Sequence, residues 1–269
     1  MVVFPHCKIN LGLHVISKRE DGYHNIETCF YPVPWTDILE IIPAKEFSFT
    51  SSGLVIPGKD EDNLCIKAYH HLQTHFDLAP VKIHLHKVLP TGAGLGGGSS
   101  DAAFTLRLLN SVFDLKLNPI QLRKFAAQLG SDCSFFVEDK PMLGSGRGEQ
   151  LVDLPLSLKG LYMVLVKPDI HVSTADAYAG VKPHTPHQTL TDILTLPVAE
   201  WKDHLVNDFE KSVFAKYPAI EAIKKEFYDH GALYASMSGS GSSVFGIFLS
   251  QTERSHQFKG MQYWANYIN

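Results

Sequence analysis

The chain has 269 residues, 45% hydrophobic and 19% charged, an ordinary globular composition with length enough for two modest domains. Its formal net charge of −4 argues against a broadly basic face for nucleic acid or anionic lipid. No uninterrupted apolar run is long enough for a membrane helix, and the N-terminus lacks the basic-then-apolar pattern of a secretory signal, so a cytoplasmic protein with no membrane partner is expected. Residues 1–16 alternate around Lys8 and predict a strand. Asp21-Gly22-Tyr23-His24 is turn chemistry ahead of a second strand over residues 26–33. Residues 35–42 and 46–50 read as further strand. Asn63 is placed to cap a helix carrying Leu64, Ala68, Leu72 and Phe76 on one side. Val81, Ile83 and Leu85 alternate as a half-buried strand. A glycine run follows, and then Ala102, Ala103, Leu106, Leu109 and Phe113 recur at helical spacing.

Asn118, with Pro119 at the first helical position, starts a helix with Leu122, Phe125, Ala126 and Leu129 as its apolar face. Gly130-Ser131-Asp132 ends it, Phe135 and Phe136 resume apolar structure, and residues 144–148 read as a tight loop. A boundary near residue 153 divides the chain into domains of residues 1–153 and 154–269. In the second, residues 161–166 form an apolar strand, residues 172–179 begin a helical element, and residues 183–191 are loop. Ile220, Ile223 and Phe227 face one side of a helix that stops at Gly231. Residues 232–237, the turn at 238–242 and residues 244–249 make strand, loop and strand. A last helix is expected over residues 252–264. Mixed strands and helices in two halves give an α+β fold. Cys7, Cys29, Cys65 and Cys133 form no CxxC pair and read as free buried thiols.

The glycine run is Pro90-Thr91-Gly92-Ala93-Gly94-Leu95-Gly96-Gly97-Gly98-Ser99-Ser100-Asp101, with five glycines in seven residues. Between a strand and a helix, such a turn can aim successive N–H groups at one anion, helped by the positive helix end. A Cβ would block both the unusual φ angles and the close approach of phosphate oxygens. A flexible linker is the plain alternative, but linkers seldom join apolar periodic segments so tightly. No lysine follows as in a P-loop, and helix stands where a dinucleotide fold needs its ribose-binding acid. The other candidates are weaker on residues alone. Lys8 fits a solvated strand face, and Asp132 fits a helix cap. Asp21-Gly22 is simply turn-forming, and residues 237–243 fit a plain hairpin.

The run resembles the central motif of the GHMP kinases, a superfamily of small-molecule kinases. The form PxGAGLGGGSS[ND]A is that of its 4-diphosphocytidyl-2-C-methyl-D-erythritol kinase branch. Arg19-Glu20-Asp21-Gly22-Tyr23-His24 matches the RxDGYH that sets this branch apart. Cys7-Lys8-Ile9-Asn10-Leu11 resembles AK[IVL]NL, with cysteine for alanine. Gly130-Ser131-Asp132-Cys133-Ser134-Phe135-Phe136 resembles G[SA]D[VI]PFF, with Cys133-Ser134 for the usual Val-Pro. Met237-Ser238-Gly239-Ser240-Gly241-Ser242-Ser243 resembles the third motif, with serines for threonines. The motifs keep their order from Lys8 to Ser243.

The resemblance implies a domain like domain 2 of ribosomal protein S5 followed by a ferredoxin-like domain. It implies ATP-dependent phosphorylation of the 2-hydroxyl of 4-diphosphocytidyl-2-C-methyl-D-erythritol, in the non-mevalonate route to isoprenoid precursors. Asp132 is then the base and Lys8 its charge partner. Pro90, Gly92, Ala93, Gly94, Leu95, Gly96, Gly97, Gly98, Ser99 and Ser100 wrap the ATP phosphates, with Asn63 and Lys87 on the nucleotide side. ATP brings Mg²⁺, for which Ser100 is a candidate ligand. Tyr23 stacks on the cytosine, His24 reads its edge, and Tyr178, four residues after Thr174, takes the other face. Asn10, Gly239 and Ser240 lie on the substrate side. The resemblance also implies a monomer or weak homodimer that needs no partner subunit for chemistry. Another kinase of the superfamily is the main alternative, and Tyr23-His24 argues against it. A nucleotide-binding module without phosphoryl transfer is a second, motivated by Cys133-Ser134. No zinc-ligand spacing, haem motif or Ser–His–Asp triad competes, and His70-His71 and His84/His86 suggest only adventitious metal binding.

Overall fold

The computed structural model describes residues 1–269. In chain order the first half holds β1 (Val2–Val3), β2 (His6–Lys18), β3 (His24–Thr36), β4 (Ile38–Pro43), β5 (Ser48–Gly53), α1 (Leu64–Gln73), β6 (Val81–Lys87), α2 (Gly97–Val112), α3 (Pro119–Leu129), β7 (Met142–Ser145) and β8 (Gln150–Asp153). The second holds β9 (Tyr162–Lys167), α4 (Thr174–Ala179), α5 (Leu190–Leu194), α6 (Glu210–Lys216), α7 (Pro218–Asp229), β10 (Tyr234–Met237), β11 (Val244–Phe248) and β12 (Gln262–Tyr267). The chain forms two compact units interleaved in sequence. One comprises Met1–Cys7, Pro34–Thr91 and Gly96–Asp139, and the other Lys8–Val33, Gly92–Leu95 and Lys140–Asn269.

The first unit is built on a sheet of order β1-β4-β6-β5, with β5 parallel to β6 and the other pairs antiparallel. In β6, Val81, Ile83 and Leu85 are buried while Lys82 is exposed, the alternation its sequence predicts. Asn63 caps α1 by accepting from the Cys65 amide at 2.9 Å. Asn118 and Gln121 form a reciprocal capping box at the start of α3. The glycine run ends inside α2, which starts at Gly97 with left-handed Gly96 as its N-cap. Leu72 of α1 and Leu106 and Leu109 of α2 are fully buried.

The second unit holds two sheets, β2-β3-β7-β8 and β10-β11-β9-β12. Residues 144–148 belong to the β7–β8 hairpin. Ile220, Ile223 and Phe227 are the buried face of α7. They pack with Val164, Val166, Ala235 and Val244 in one core cluster. The helix expected over residues 252–264 does not form. A short 3-10 turn at Ser255–Phe258 leads to Gly260 at φ +85, and the chain then runs as β12. The reason is β9, whose buried backbone needs partners on both edges. β11 fills one edge, and β12 the other, antiparallel, with Trp264 opposite Leu165. All four cysteines are buried and free. No helix is long and apolar enough to cross a membrane.

Candidate active site

In the first unit, a cavity is lined by Phe49, Asn63, Leu64, Lys87, Thr91, Gly98 and Asp101 among others. Four expected residues meet here or beside it: Asn63, Lys87, Gly98 and Ser100. A Cβ on Gly98 would find only Leu64 Cδ1, at 3.9 Å, so packing does not require glycine there and the space remains for a ligand. No side chain caps α2, which leaves the first-turn amides of a 16-residue helix for an anion. Ser99 and Ser100 are therefore not capping residues. Ser100 Oγ is buried without a hydrogen-bond partner, an oxygen donor of the hard type that suits Mg²⁺. Ser99 hydrogen-bonds with Cys133, whose thiol burial pushes up to about 12 and so keeps protonated.

Lys87 lies at the cavity with its ammonium already engaged. Nζ donates to Asp37 Oδ2 at 2.5 Å and to Asp101 Oδ2 at 2.6 Å, all three groups nearly free of solvent. Asp37 Oδ1 also accepts from the Val88 and Leu89 amides at 2.6 and 2.8 Å. The triad thus fixes the chain entering the glycine run. Two carboxylates on one ammonium leave an excess negative charge in a dry place. Burial, reinforced by Asp37, outweighs Lys87 and raises Asp101 to about 7. Asp101 Oδ1 has no hydrogen-bond partner.

The folded chain therefore holds a proton on Asp101 that the unfolded chain has released above its ordinary value of 3.8. Stability from this group is full below that value and is lost as pH rises towards about 7, at a limiting slope of about 1.4 kcal/mol per pH unit. Asp101→Asn should flatten that slope relative to the parent. Urea denaturation at pH 5, 6, 7 and 8 measures it, and parallel profiles would place the proton elsewhere.

Asp132 follows α3 in a turn closed by Cys133 N donating to Gly130 O at 3.1 Å and Phe135 N donating to Asp132 O at 3.2 Å. Phe135 and Phe136 anchor the turn with no exposure. Ser134, where the related motif has proline, donates through Oγ to Arg123 O at 3.2 Å. A hydrogen bond to the middle of α3 stands where the ring would have stiffened the turn.

In the second unit, three segments far apart in sequence meet around Lys8. Its Nζ, 4% exposed with its residue, donates to Asn10 Oδ1 at 2.6 Å and Gly94 O at 3.0 Å. Asn10 Nδ2 donates to Thr28 Oγ1 at 2.9 Å, which donates on to Gly12 O at 2.6 Å. Gly94 O also accepts from Ser238 Oγ at 2.9 Å, and Ala93 O accepts from the Ser243 amide at 3.1 Å. At Gly94, φ is +75 and a Cβ would lie 2.0 Å from Ser238 O, so only glycine fits. A Cβ on Gly239 would lie 3.1 Å from Asn10 Oδ1 and 3.6 Å from Lys8 Nζ. Asn207 holds this loop in place, Nδ2 donating to Met237 O and Gly239 O, both at 2.8 Å. Lys8, Asn10, Gly94 and Gly239 thus share one neighbourhood, and Ser240 follows Gly239 in the same loop.

The same unit carries the aromatic candidates. Tyr23 is 57% exposed, with the Arg147 guanidinium 5.1 Å from its ring centre. His24 stacks on Tyr178 at 4.6 Å and 16°, and Phe209 meets Tyr178 edge-on at 4.7 Å. Thr174 opens α4, whose N-cap is Ser173, and is exposed. Sequence reading missed Asp37, Asp101, Thr28, Arg147 and Asn207. Lys87 at the end of a half-buried strand was the available signal for acidic partners, since a buried lysine needs one. Asn207 gives no local signal, because its partners lie 30 and 32 residues away.

The family described as GHMP kinases N terminal domain matches residues 63–139, and that described as GHMP kinases C terminal matches residues 197–262. A 4-diphosphocytidyl-2-C-methyl-D-erythritol kinase of Cytophaga hutchinsonii is 55% identical over 258 residues, covering 96% of each chain. One from Bacteroides fragilis is 55% identical over 252 residues, covering 92% of each. A crystal structure of 4-(cytidine 5'-diphospho)-2C-methyl-D-erythritol kinase aligns with TM-score 0.79 at 31% identity, covering 92% of this chain and 90% of that one. A homoserine kinase of Cytophaga hutchinsonii aligns with TM-score 0.61 at 19% identity, over 97% of this chain and 94% of that one, a likeness of fold alone. With 55% identity to the Cytophaga and Bacteroides kinases over more than nine-tenths of the chain and the motifs of both halves in place, the chain belongs to the 4-diphosphocytidyl-2-C-methyl-D-erythritol kinase family of the GHMP kinase superfamily.

Proposed function

We propose that Asp132 is the base and Lys8 its charge partner in the reaction of this enzyme. The enzyme catalyses ATP-dependent phosphorylation of the 2-hydroxyl of 4-diphosphocytidyl-2-C-methyl-D-erythritol, in non-mevalonate isoprenoid precursor biosynthesis. The observation that carries the activity is the 55% identity over 96% of the chain to a relative of that name. In the assigned roles, Asp132 takes the hydroxyl proton as the oxygen bonds to the γ-phosphorus and the bond to ADP breaks. Lys8 offsets the negative charge of the carboxylate and of the transferring phosphoryl group.

Residues 90–100 are assigned to the ATP phosphates, with Asn63 and Lys87 on the nucleotide side. Lys87 acts there through its ion triad, by fixing the entry to the loop. Ser100 is assigned to Mg²⁺, which neutralises phosphate charge when bound. Tyr23, His24, Thr174 and Tyr178 are assigned to the cytidine end, and Asn10, Gly239 and Ser240 to the substrate. His24 covers one face of Tyr178, so a pyrimidine taking that face requires the imidazole to move aside. Residues 1–153 and 154–269 are assigned as the two domains, with one matched segment on each side of that boundary. The working form is assigned as a cytoplasmic monomer or weak homodimer, without nucleic acid or membrane.

The test is incubation of purified protein with Mg-ATP and the diphosphocytidyl substrate, read by mass spectrometry. A product heavier by one phosphoryl group, together with ADP, is expected. Its absence with folded, ATP-binding protein would sink the reading. Competition by CDP should exceed that by UDP. Equal competition would remove the base-reading role of His24 and leave the kinase activity intact.

A further inference from the structure

Away from the residues assigned above, the second unit brings together His14, His184 and Asp208, each from a different part of the chain. Their ligand atoms all lie within 4.8 Å of one another. His14 is in the middle of β2 and 3% exposed, and neither ring nitrogen has a hydrogen-bond partner. Its Nδ1 points at Asp208 Oδ1 from 3.8 Å, too far for a hydrogen bond. His184 Nδ1 lies 3.6 Å from Asp208 Oδ2, on a side chain 49% exposed. The two imidazoles meet edge to face, with centres 6.0 Å apart.

The backbones beneath them are fixed. Leu13 N donates to Val206 O and Asp208 N donates to Leu13 O, both at 2.9 Å. Val15 N donates to Asp208 Oδ2 at 2.7 Å, and His184 N donates to Val15 O at 3.0 Å. Two segments, at residues 206–208 and at His184, are thus laced to one stretch of β2, and the imidazole of His14 is left without a partner. A buried polar group without one is rare and asks for an explanation.

We propose that His14, His184 and Asp208 bind one zinc-class divalent transition-metal ion that ties the segment after α4 to β2. Two imidazoles and a carboxylate are a donor set of catalytic and structural zinc, whereas Mg²⁺ prefers oxygen alone. Bonds of about 2.0–2.1 Å put tetrahedral ligand atoms about 3.4 Å apart. The 3.8 and 3.6 Å separations run to the two different oxygens of Asp208, and the three ligand atoms lie within 4.8 Å of one another, so the cluster contracts by up to about 1.4 Å on binding. The remaining closure falls to the half-exposed His184, on the side where water supplies a fourth ligand.

The test uses the full chain, stripped with chelator and free of nucleotide, titrated with Zn²⁺ by calorimetry and followed by thermal unfolding. One Zn²⁺ per chain and a concentration-dependent rise in Tm are expected. His184→Ala, at a half-exposed position, should fold with the metal-free parent's Tm, bind Zn²⁺ at least ~10-fold more weakly and lose the rise. Asp208→Asn should weaken binding similarly. His84→Ala with His86→Ala, at the half-buried pair on β6, should leave Zn²⁺ binding and the size of the Tm rise intact. The absence of Zn²⁺ binding, or equal affinity and Tm rise in His184→Ala and the parent, would overturn the site and leave a metal-free histidine–aspartate cluster.

Discussion

Asp132→Asn is expected to lower kcat at least ~10²-fold with little change in the binding of ATP or the diphosphocytidyl substrate. The change removes a proton acceptor while keeping the side chain's shape. The turn is held by backbone bonds around Gly130, by Ser134 Oγ on Arg123 O and by the buried pair Phe135 and Phe136, none of which uses the Asp132 carboxylate. The fold should therefore survive and the chemical step should not. Single-turnover rates at saturating substrate separate that step from binding and product release. An unchanged single-turnover rate would remove Asp132 from proton transfer.

Lys87→Met should destabilise the protein by roughly 3–5 kcal/mol, the scale for breaking a buried ion pair from one side. The variant leaves Asp37 and Asp101 with no cation between them, at 0% and 4% side-chain exposure. At about 2–4 °C per kcal/mol, Tm falls by on the order of 10 °C. The loss should be smaller at pH 5.5 than at pH 8, because Asp101 is protonated below about 7. Adding Asp101→Asn should recover part of it at the higher pH. Urea titrations of the parent and both variants at the two pH values make the comparison. A loss below about 1 kcal/mol, or none of this pH dependence, would show that the triad does not hold the loop entry.

Local physics made much of the molecule legible in the sequence. Asn63 and Asn118 are found as helix caps because capping acts over two or three residues. β6 is found because alternation is a property of adjacent residues. The glycine run is legible as a turn that needs glycine, since Gly92, Gly94 and Gly96 have positive φ. What was hidden depends on partners distant in sequence. Residues 262–267 are strand because β9 has a free edge, a fact written nearly a hundred residues earlier. The Lys87 triad joins positions 37, 87 and 101, and Asn207 reaches a loop on another strand pair. His14, His184 and Asp208 show no ligand spacing because β2, not a short loop, gathers them.

The measurement that bears most directly on the assigned roles is a crystal structure of the enzyme with Mg²⁺, a non-hydrolysable ATP analogue and the diphosphocytidyl substrate. It should place the 2-hydroxyl within hydrogen-bond reach of the Asp132 carboxylate, roughly 2.6–3.2 Å, and in line with the γ-phosphate. The cytosine should lie against Tyr23 and Tyr178, with the phosphates on the amides of residues 92–100. An acceptor hydroxyl remote from Asp132 in a fully occupied site would contradict the account.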